Sequence, residues 1–205
     1  MSSKLTECTT ARPGSTPAVP AWIDATGKTD ASWALQSFVD SVPDGSTIEF
    51  RAGGTYRMDA GLALENRNDL TSEGNGATLR SAGGSEPASS LFVLRWNNGI
   101  TIREFSLVGN DPKDGTSQAY REWVHGILLR GGSDVEIANV AISGAWGDCL
   151  YVSGWADTVS FHDSTCASSG RNGIAITAGK NVVVERRAIG IVGGVVSSSR
   201  TTSAQ

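Results

Sequence analysis

The fold is decided by residues 127–190, which read ILLRGGSDVEIANVAISGAWGDCLYVSGWADTVSFHDSTCASSGRNGIAITAGKNVVVERRAIG. Short apolar segments alternate here with Gly, Asn, Asp and Ser, a composition typical of short strands joined by turns. Three such segments recur together with a step of 23 or 24 residues. Their first residues are Ile127, Leu150 and Ile174; Val135, Val159 and Val182; and Val140, Ser164 and Arg187. Three strands per repeat of about 23 residues predict a parallel β-helix, in which each repeat pairs with the next.

The same three sets extend toward the N-terminus with longer steps. Leu62 and Phe92 precede the first set, Leu70 and Ile100 the second, and Phe105 the third. These steps are 30 and 35 residues, and the extra residues fall in polar or Gly-rich segments around 80–90 and 109–123. Insertions in turns leave the stacking intact, so we expect one all-β solenoid rather than a sandwich.

One helix is predicted before the repeats. The capping pair Thr29-Asp30 precedes an apolar stripe of Ala31, Leu35, Phe38 and Val39, which Pro43-Asp44-Gly45 ends. A solenoid exposes an unpaired strand edge at its first repeat, so we interpret this helix as its N-terminal cap.

The predicted domain is residues 22–189, with a disordered leader at 1–21 and a disordered tail at 190–205. The sequence after residue 190 shows no further repeat and no capping helix, and Arg187 occupies an otherwise apolar slot. We therefore expect a truncated piece, or a reading-frame variant, of a longer β-helix.

Charge and composition exclude several classes of function. Lys and Arg total 17 against 21 Asp and Glu, whereas strong binding to nucleic acid or to an anionic membrane needs a basic surface. The longest weakly polar stretch, residues 189–196, is too short to span a bilayer, and the start MSSKLTECTT lacks the apolar core of a signal peptide. Neither nucleic acid nor membrane is therefore an expected partner.

Cysteines and acidic residues give no metal site. The three cysteines, Cys8, Cys149 and Cys166, have no metal-ligand spacing, and buried thiols are the simplest interpretation. Asp111 and Asp114 could hold calcium, but a solvated loop is the better explanation of their pattern. We predict no metal and no cofactor.

The step of the repeat also identifies a candidate site, because residues one repeat apart lie about 4.8 Å apart. One column before the first strand set has the residue types of a carbohydrate site, with aromatic rings for sugar faces and titratable groups for proton transfer. It comprises Trp123, His125, Trp146, Asp148, Arg171 and Asn172. Asp148 would act as general acid or base, assisted by His125 and Arg171, while Trp123 and Trp146 stack on sugars and Asn172 binds substrate. His162 is a further substrate-binding candidate.

Each assignment has a structural alternative. Asp148 and Asn172 could form a polar ladder that bonds backbone groups of the neighbouring repeat, and His125 could be a satisfied turn residue. Trp123 and Trp146 could pack under the 109–123 segment, and His162 could be an ordinary outward strand residue.

Two stretches carry a resemblance to a known family. Residues 23–58, IDATGKTDASWALQSFVDSVPDGSTIEFRAGGTYRM, and residues 68–79, NDLTSEGNGATL, resemble the opening of the pectate-lyase-like right-handed parallel β-helix superfamily. The shared features are Asp-x-x-Gly-x-x-Asp, a cap helix ending in Ala-Leu-Gln, and a strand followed by Ala-Gly-x-Tyr. The resemblance extends over roughly residues 22–187 and implies right-handed winding, a polysaccharide partner and an extracellular location.

The superfamily contains polysaccharide lyases, glycoside hydrolases, phage tailspikes and adhesins. Polygalacturonase-like members carry paired aspartates and Arg-Ile-Lys, whereas this chain has one aspartate in Gly147-Asp148-Cys149 and no such tripeptide. The Arg-x-Pro-x-x-Arg run of pectate lyases is also missing. We expect a protein that binds an extended polysaccharide and, in its complete form, cleaves it by lyase or hydrolase chemistry. The alternatives are a non-catalytic adhesin or tailspike-like module, and an inactive truncated fragment.

Overall fold

The computed structural model describes residues 13–82, 90–111 and 120–190. The predicted all-β class is confirmed, since these residues form fourteen strands of one parallel sheet and a single helix, α1 (Ser32–Ser41). The strands are β1 (Thr26–Asp30), β2 (Thr47–Glu49), β3 (Thr55–Met58), β4 (Leu62–Glu65), β5 (Asn68–Ser81), β6 (Phe92–Val108), β7 (Ile127–Ala138), β8 (Ala141–Ser143), β9 (Leu150–Ser153), β10 (Ala156–His162), β11 (Thr165–Ala167), β12 (Ile174–Ile176), β13 (Gly179–Glu185) and β14 (Ala188–Ile189).

The strand segments stack in three rows, as the sequence step predicts. Row 1 contains β4, the first parts of β6 and β7, β9 and β12. Row 2 contains β2, middle parts of β5 and β6, the end of β7, β10 and β13. Row 3 contains β1, β3, the ends of β5 and β6, β8, β11 and β14. This arrangement of parallel rows is compatible with a parallel β-helix.

The predicted register is confirmed residue by residue. In row 1, Leu62, Phe92, Ile127, Leu150 and Ile174 are successive partners. The alternate residues of each segment are buried in one continuous core, because side chains of a strand point to opposite faces. Each repeat therefore contributes one layer to that core.

Helix α1 is confirmed as a cover for the edge of row 1. Leu35 and Val39 pack into the core, and the Asp30 carboxylate accepts the Ser32 backbone N–H at 3.0 Å near the helix start. The Gln36 carboxamide then bonds the edge of β4 on both sides. Its Nε2 donates to the Ala63 carbonyl at 2.9 Å, and its Oε1 accepts the Ala63 N–H at 2.8 Å. These are the two bonds that an adjacent strand would make.

The fold begins upstream of the boundary predicted at residue 22. The Gly14 N–H donates to the Gly45 carbonyl, the Val19 N–H donates to the Glu49 carbonyl, and the Glu49 N–H donates to the Pro17 carbonyl. Residues 14–19 thus lie beside β2, although their Pro-rich composition predicted a loose leader. Residues 1–12 and 191–205, which contain the rest of the predicted leader and the tail, lie outside the described residues.

The cysteine prediction is wrong for two of the three residues. Cys149 and Cys166 are buried, but they form a disulfide with their Cα atoms 6.0 Å apart. Cys149 precedes row 1 and Cys166 lies in row 3 of the same repeat, so the bond crosses the interior. Sequence spacing does not reveal this pair, because the two rows meet only after the chain has turned. Cys8 lies outside the described residues.

Within the described ranges, no helix has the length and apolar character needed to cross a membrane.

Candidate functional site

The predicted column beside row 1 is formed. His125, Asp148 and Asn172 occupy equivalent positions in three successive repeats, as the flanking backbone bonds show. The Gly126 N–H donates to the Asp148 carbonyl at 3.0 Å, and the Cys149 N–H donates to the Asn172 carbonyl at 3.2 Å. The sequence step therefore located these three side chains correctly relative to one another.

Their side chains form a polar ladder, which we define as Ser90, His125, Asp148 and Asn172. Each of the first three accepts the backbone N–H of the next member. Ser90 Oγ accepts from His125 at 2.9 Å, His125 Nδ1 accepts from Asp148 at 3.0 Å, and Asp148 Oδ1 accepts from Asn172 at 2.9 Å. The Asn172 side chain adds a bond of 2.8 Å to the same oxygen. The ladder thus pairs backbone groups where the chain turns into row 1.

The Asp148 carboxylate is fully buried and the His125 residue is only 2% exposed. Burial raises the pKa of Asp148, but the contact with His125 and the two N–H groups of Asn172 together lower it below its ordinary value. A general acid needs a raised pKa to hold its proton at neutral pH. The environment of Asp148 therefore favours a permanent carboxylate with a structural role.

One oxygen of this carboxylate is not used by the ladder. Asp148 Oδ2 lies 3.3 Å from His125 Nδ1, and it accepts no hydrogen bond from the described residues. Because Nδ1 already accepts the Asp148 N–H, the neutral His125 carries its proton on Nε2.

An exposed aromatic surface covers the ladder. We call this aromatic surface Trp123, Tyr151 and Arg171. The Tyr151 ring stacks on the His125 ring, with centroids 4.6 Å apart, and meets the Trp123 ring edge-on at 6.5 Å. Trp123 is 62% exposed, and the Arg171 guanidinium lies 5.7 Å from its ring centroid. This surface combines a free indole with a cation, the groups that bind a sugar face and its hydroxyl groups.

The sequence prediction included Trp123 and Arg171 but missed Tyr151. Tyr151 is the middle residue of the Leu150-x-Val152 segment, so its outward direction could have been read from the strand alternation. Its phenol oxygen accepts a hydrogen bond of 3.2 Å from Thr177, which fixes the ring over the ladder.

Trp146 is placed differently from its predicted role as a stacking platform. It is 3% exposed, its Nε1 donates to Asn110 Oδ1 at 2.7 Å, and the Arg121 guanidinium lies 4.4 Å from its ring centroid. Both partners belong to the 109–123 segment, so the indole packs beneath it. A sugar could reach Trp146 only after Arg121 had moved.

His162 lies at the end of row 2, away from the ladder in the repeat. Its Nδ1 lies 2.7 Å from Asp163 and its Nε2 lies 3.0 Å from Glu136, while Arg186 bonds Asp163 from the next repeat. The bonds to Asp163 and Glu136 raise the pKa of His162. This arrangement links three successive repeats, so His162 has a structural connection that the sequence did not reveal.

The described residues contain no group of three His, Cys, Asp or Glu side chains that could hold a metal ion. Asp114 of the calcium alternative lies outside them. No protein-family model, curated protein or solved structure matches the chain.

Proposed function

We propose that this chain is a right-handed parallel β-helix of the pectate-lyase-like kind that binds an extended polysaccharide outside the cell. Binding takes place on the aromatic surface, and the polar ladder beneath it supports that surface instead of carrying out catalysis. Parallel rows in register and the covering helix support the fold assignment. The resemblance of residues 23–58 and 68–79 supports the family.

One contrast carries the choice of binding over cleavage. The two candidate proton-transfer groups, Asp148 and His125, are buried and use their side chains to bond backbone N–H groups. Trp123, by comparison, presents most of its indole to solvent with Arg171 beside it. A binding surface needs only the exposed groups, whereas cleavage would need the buried ones to reach the substrate.

The Cys149–Cys166 disulfide supports the extracellular location. Disulfides persist in oxidising compartments and are rare in the reducing cytosol. This support is independent of the family resemblance, which first led to the same expectation.

Cleavage remains the second candidate, favoured by two atoms. Asp148 Oδ2 and Arg171 Nη1 accept or donate no hydrogen bond within the described residues, as groups that await a substrate would. The two functions make different demands on Asp148, so they can be separated by one variant.

The test is binding to a panel of neutral and acidic polysaccharides, followed by analysis for released oligosaccharides. We expect binding without product, and Trp123→Ala should weaken it by about three- to tenfold, the value of one aromatic contact. Trp33→Ala, which removes another exposed indole from helix α1, is the matched control and should bind like the wild type.

Two results would overturn this proposal. Product formation that Asp148→Asn abolishes would establish cleavage at the ladder. Wild-type protein that binds no member of the panel would remove the polysaccharide function altogether.

A further inference from the structure

A second pair of exposed indoles lies at the corner between rows 1 and 2. Trp96 is 55% exposed and Trp155 is 80% exposed. Both follow row 1 segments, whereas Trp123 precedes one, so the corner and the aromatic surface border row 1 on opposite sides. Single exposed aromatic residues are common on proteins, and the case for a site depends on what these two share.

Both tryptophans adopt a left-handed backbone conformation, with φ of 54° at Trp96 and 61° at Trp155. Bulky side chains rarely adopt positive φ, and Gly or Asn would suit these turns better. An exposed indole also gains little from burial in the folded state. Two tryptophans at such positions oppose the preferences of the fold, and strained residues of this kind cluster at ligand sites.

Trp155 also belongs to an extra residue in its turn. Before the turn, Ser153 pairs with Arg130, 23 residues earlier, whereas after it Asp157 pairs with Ser133, 24 residues earlier. The next repeat returns to the shorter length, because Ala156 pairs with Gly179, 23 residues later. The turn of this one repeat is therefore longer by one residue than both of its neighbours.

The backbone between the two indoles is bare. Gly131 occupies the position equivalent to Trp96 in the next repeat, and a Cβ there would lie 2.2 Å from the Trp96 ring. The indole of Trp96 thus lies against the Gly131 backbone. Gly154 follows at the next level, directly before Trp155. The Cα levels of the two tryptophans are two strand spacings apart, or about 10 Å.

Arg130 supplies a polar group between the two rings. Its side chain is exposed, makes no ion pair with the described residues, and passes beside Gly154. A guanidinium offers five N–H donors, which suit hydroxyl and carboxylate groups of a sugar.

We propose that Trp96, Arg130 and Trp155 form a second polysaccharide-binding site, which holds a chain running across successive repeats. Two sugar rings of one chain stack on the two indoles while Arg130 bonds the substituents between them. A protein partner fits less well, because protein interfaces have a contiguous apolar core and these indoles are separated by glycine backbone. The inference rests on the proposed polysaccharide function and adds a separate site to it.

The test measures binding of oligosaccharides of increasing length, drawn from the polysaccharide that the wild type binds best. We expect Trp155→Gly to weaken binding of long oligosaccharides by about three- to tenfold, and Trp96→Gly with Trp155→Gly by about tenfold or more. The urea midpoint of Trp155→Gly should stay level or rise, because glycine suits its positive φ. Trp33→Ala is again the control for loss of an exposed indole.

The possible outcomes separate this site from the proposed function. If Trp155→Gly and the double variant bind as tightly as the wild type while Trp123→Ala binds weakly, the second site is wrong and the function stands. If Trp155→Gly lowers the urea midpoint and leaves affinity unchanged, Trp155 is structural and the site is also wrong. If the wild type binds no polysaccharide at all, the proposed function fails first.

Discussion

Reduction of the Cys149–Cys166 disulfide should lower the stability of the protein by about 3 kcal/mol. The bond closes a loop with a sequence separation of 17 residues, and loop-closure entropy for that length gives about 3 kcal/mol at 25 °C. With a urea dependence of about 3 kcal/mol per molar, this loss moves the unfolding midpoint down by about 1 M. Both cysteines are buried in the core, so their thiols fill nearly the same space after reduction.

The assay is urea unfolding followed by tryptophan fluorescence, with and without a thiol reductant. Cys149→Ala combined with Cys166→Ala should start at the lower midpoint and should not respond to reductant. Cys8→Ala is the matched control and should keep the full response, since Cys8 takes no part in this bond. A wild-type midpoint that does not change on reduction, or a response that disappears in Cys8→Ala, would refute the reasoning.

Three further perturbations address the ladder, the charged cluster and the corner. Asp148→Ala should cost about 1–3 kcal/mol for each N–H of Asn172 left without an acceptor, and Asp148→Asn less, with polysaccharide binding unchanged in both; urea unfolding and binding assays check this. The two carboxylates that bond His162 raise its pKa, so its contribution to stability is complete below about pH 6.5 and is lost as pH rises through the folded pKa. The difference in urea midpoint between wild type and His162→Gln should therefore be largest below pH 6.5 and shrink above it; a constant difference would contradict the assignment. Gly131→Ala should cost about 1–3 kcal/mol, because its φ is 69° and the new Cβ meets Trp96, and a chemical denaturation curve with unchanged midpoint would show the packing to be otherwise.

The rows of the fold could be predicted because every repeat obeys the same constraint. Ile127, Leu150 and Ile174 must all point inward, and a slip by one residue would turn each of them to solvent. The regular step of the sequence therefore determines which residues pair. Helix α1 was predictable for a related reason, since Leu35 and Val39 lie on the one face that needs cover.

The character of the site could be predicted only in part. The step placed His125 beside Asp148, but whether a polar column faces solvent or the backbone of a turn depends on the exact path of the chain. The burial of Trp146 depends on Arg121, whose segment the repeat does not govern. A pattern that specifies spacing along the rows contains no information about what covers them.

The Gln36 carboxamide has a consequence for how the molecule meets other molecules. An unpaired parallel strand is a template on which another chain can add itself by hydrogen bonding, which is how edge-to-edge aggregation starts. At Ala63 both backbone groups that would serve as this template are already occupied by a side chain of the same molecule. A single glutamine thus keeps this border of row 1 inert toward foreign strands, at a place where burial by a helix alone would leave the backbone thirsty for partners.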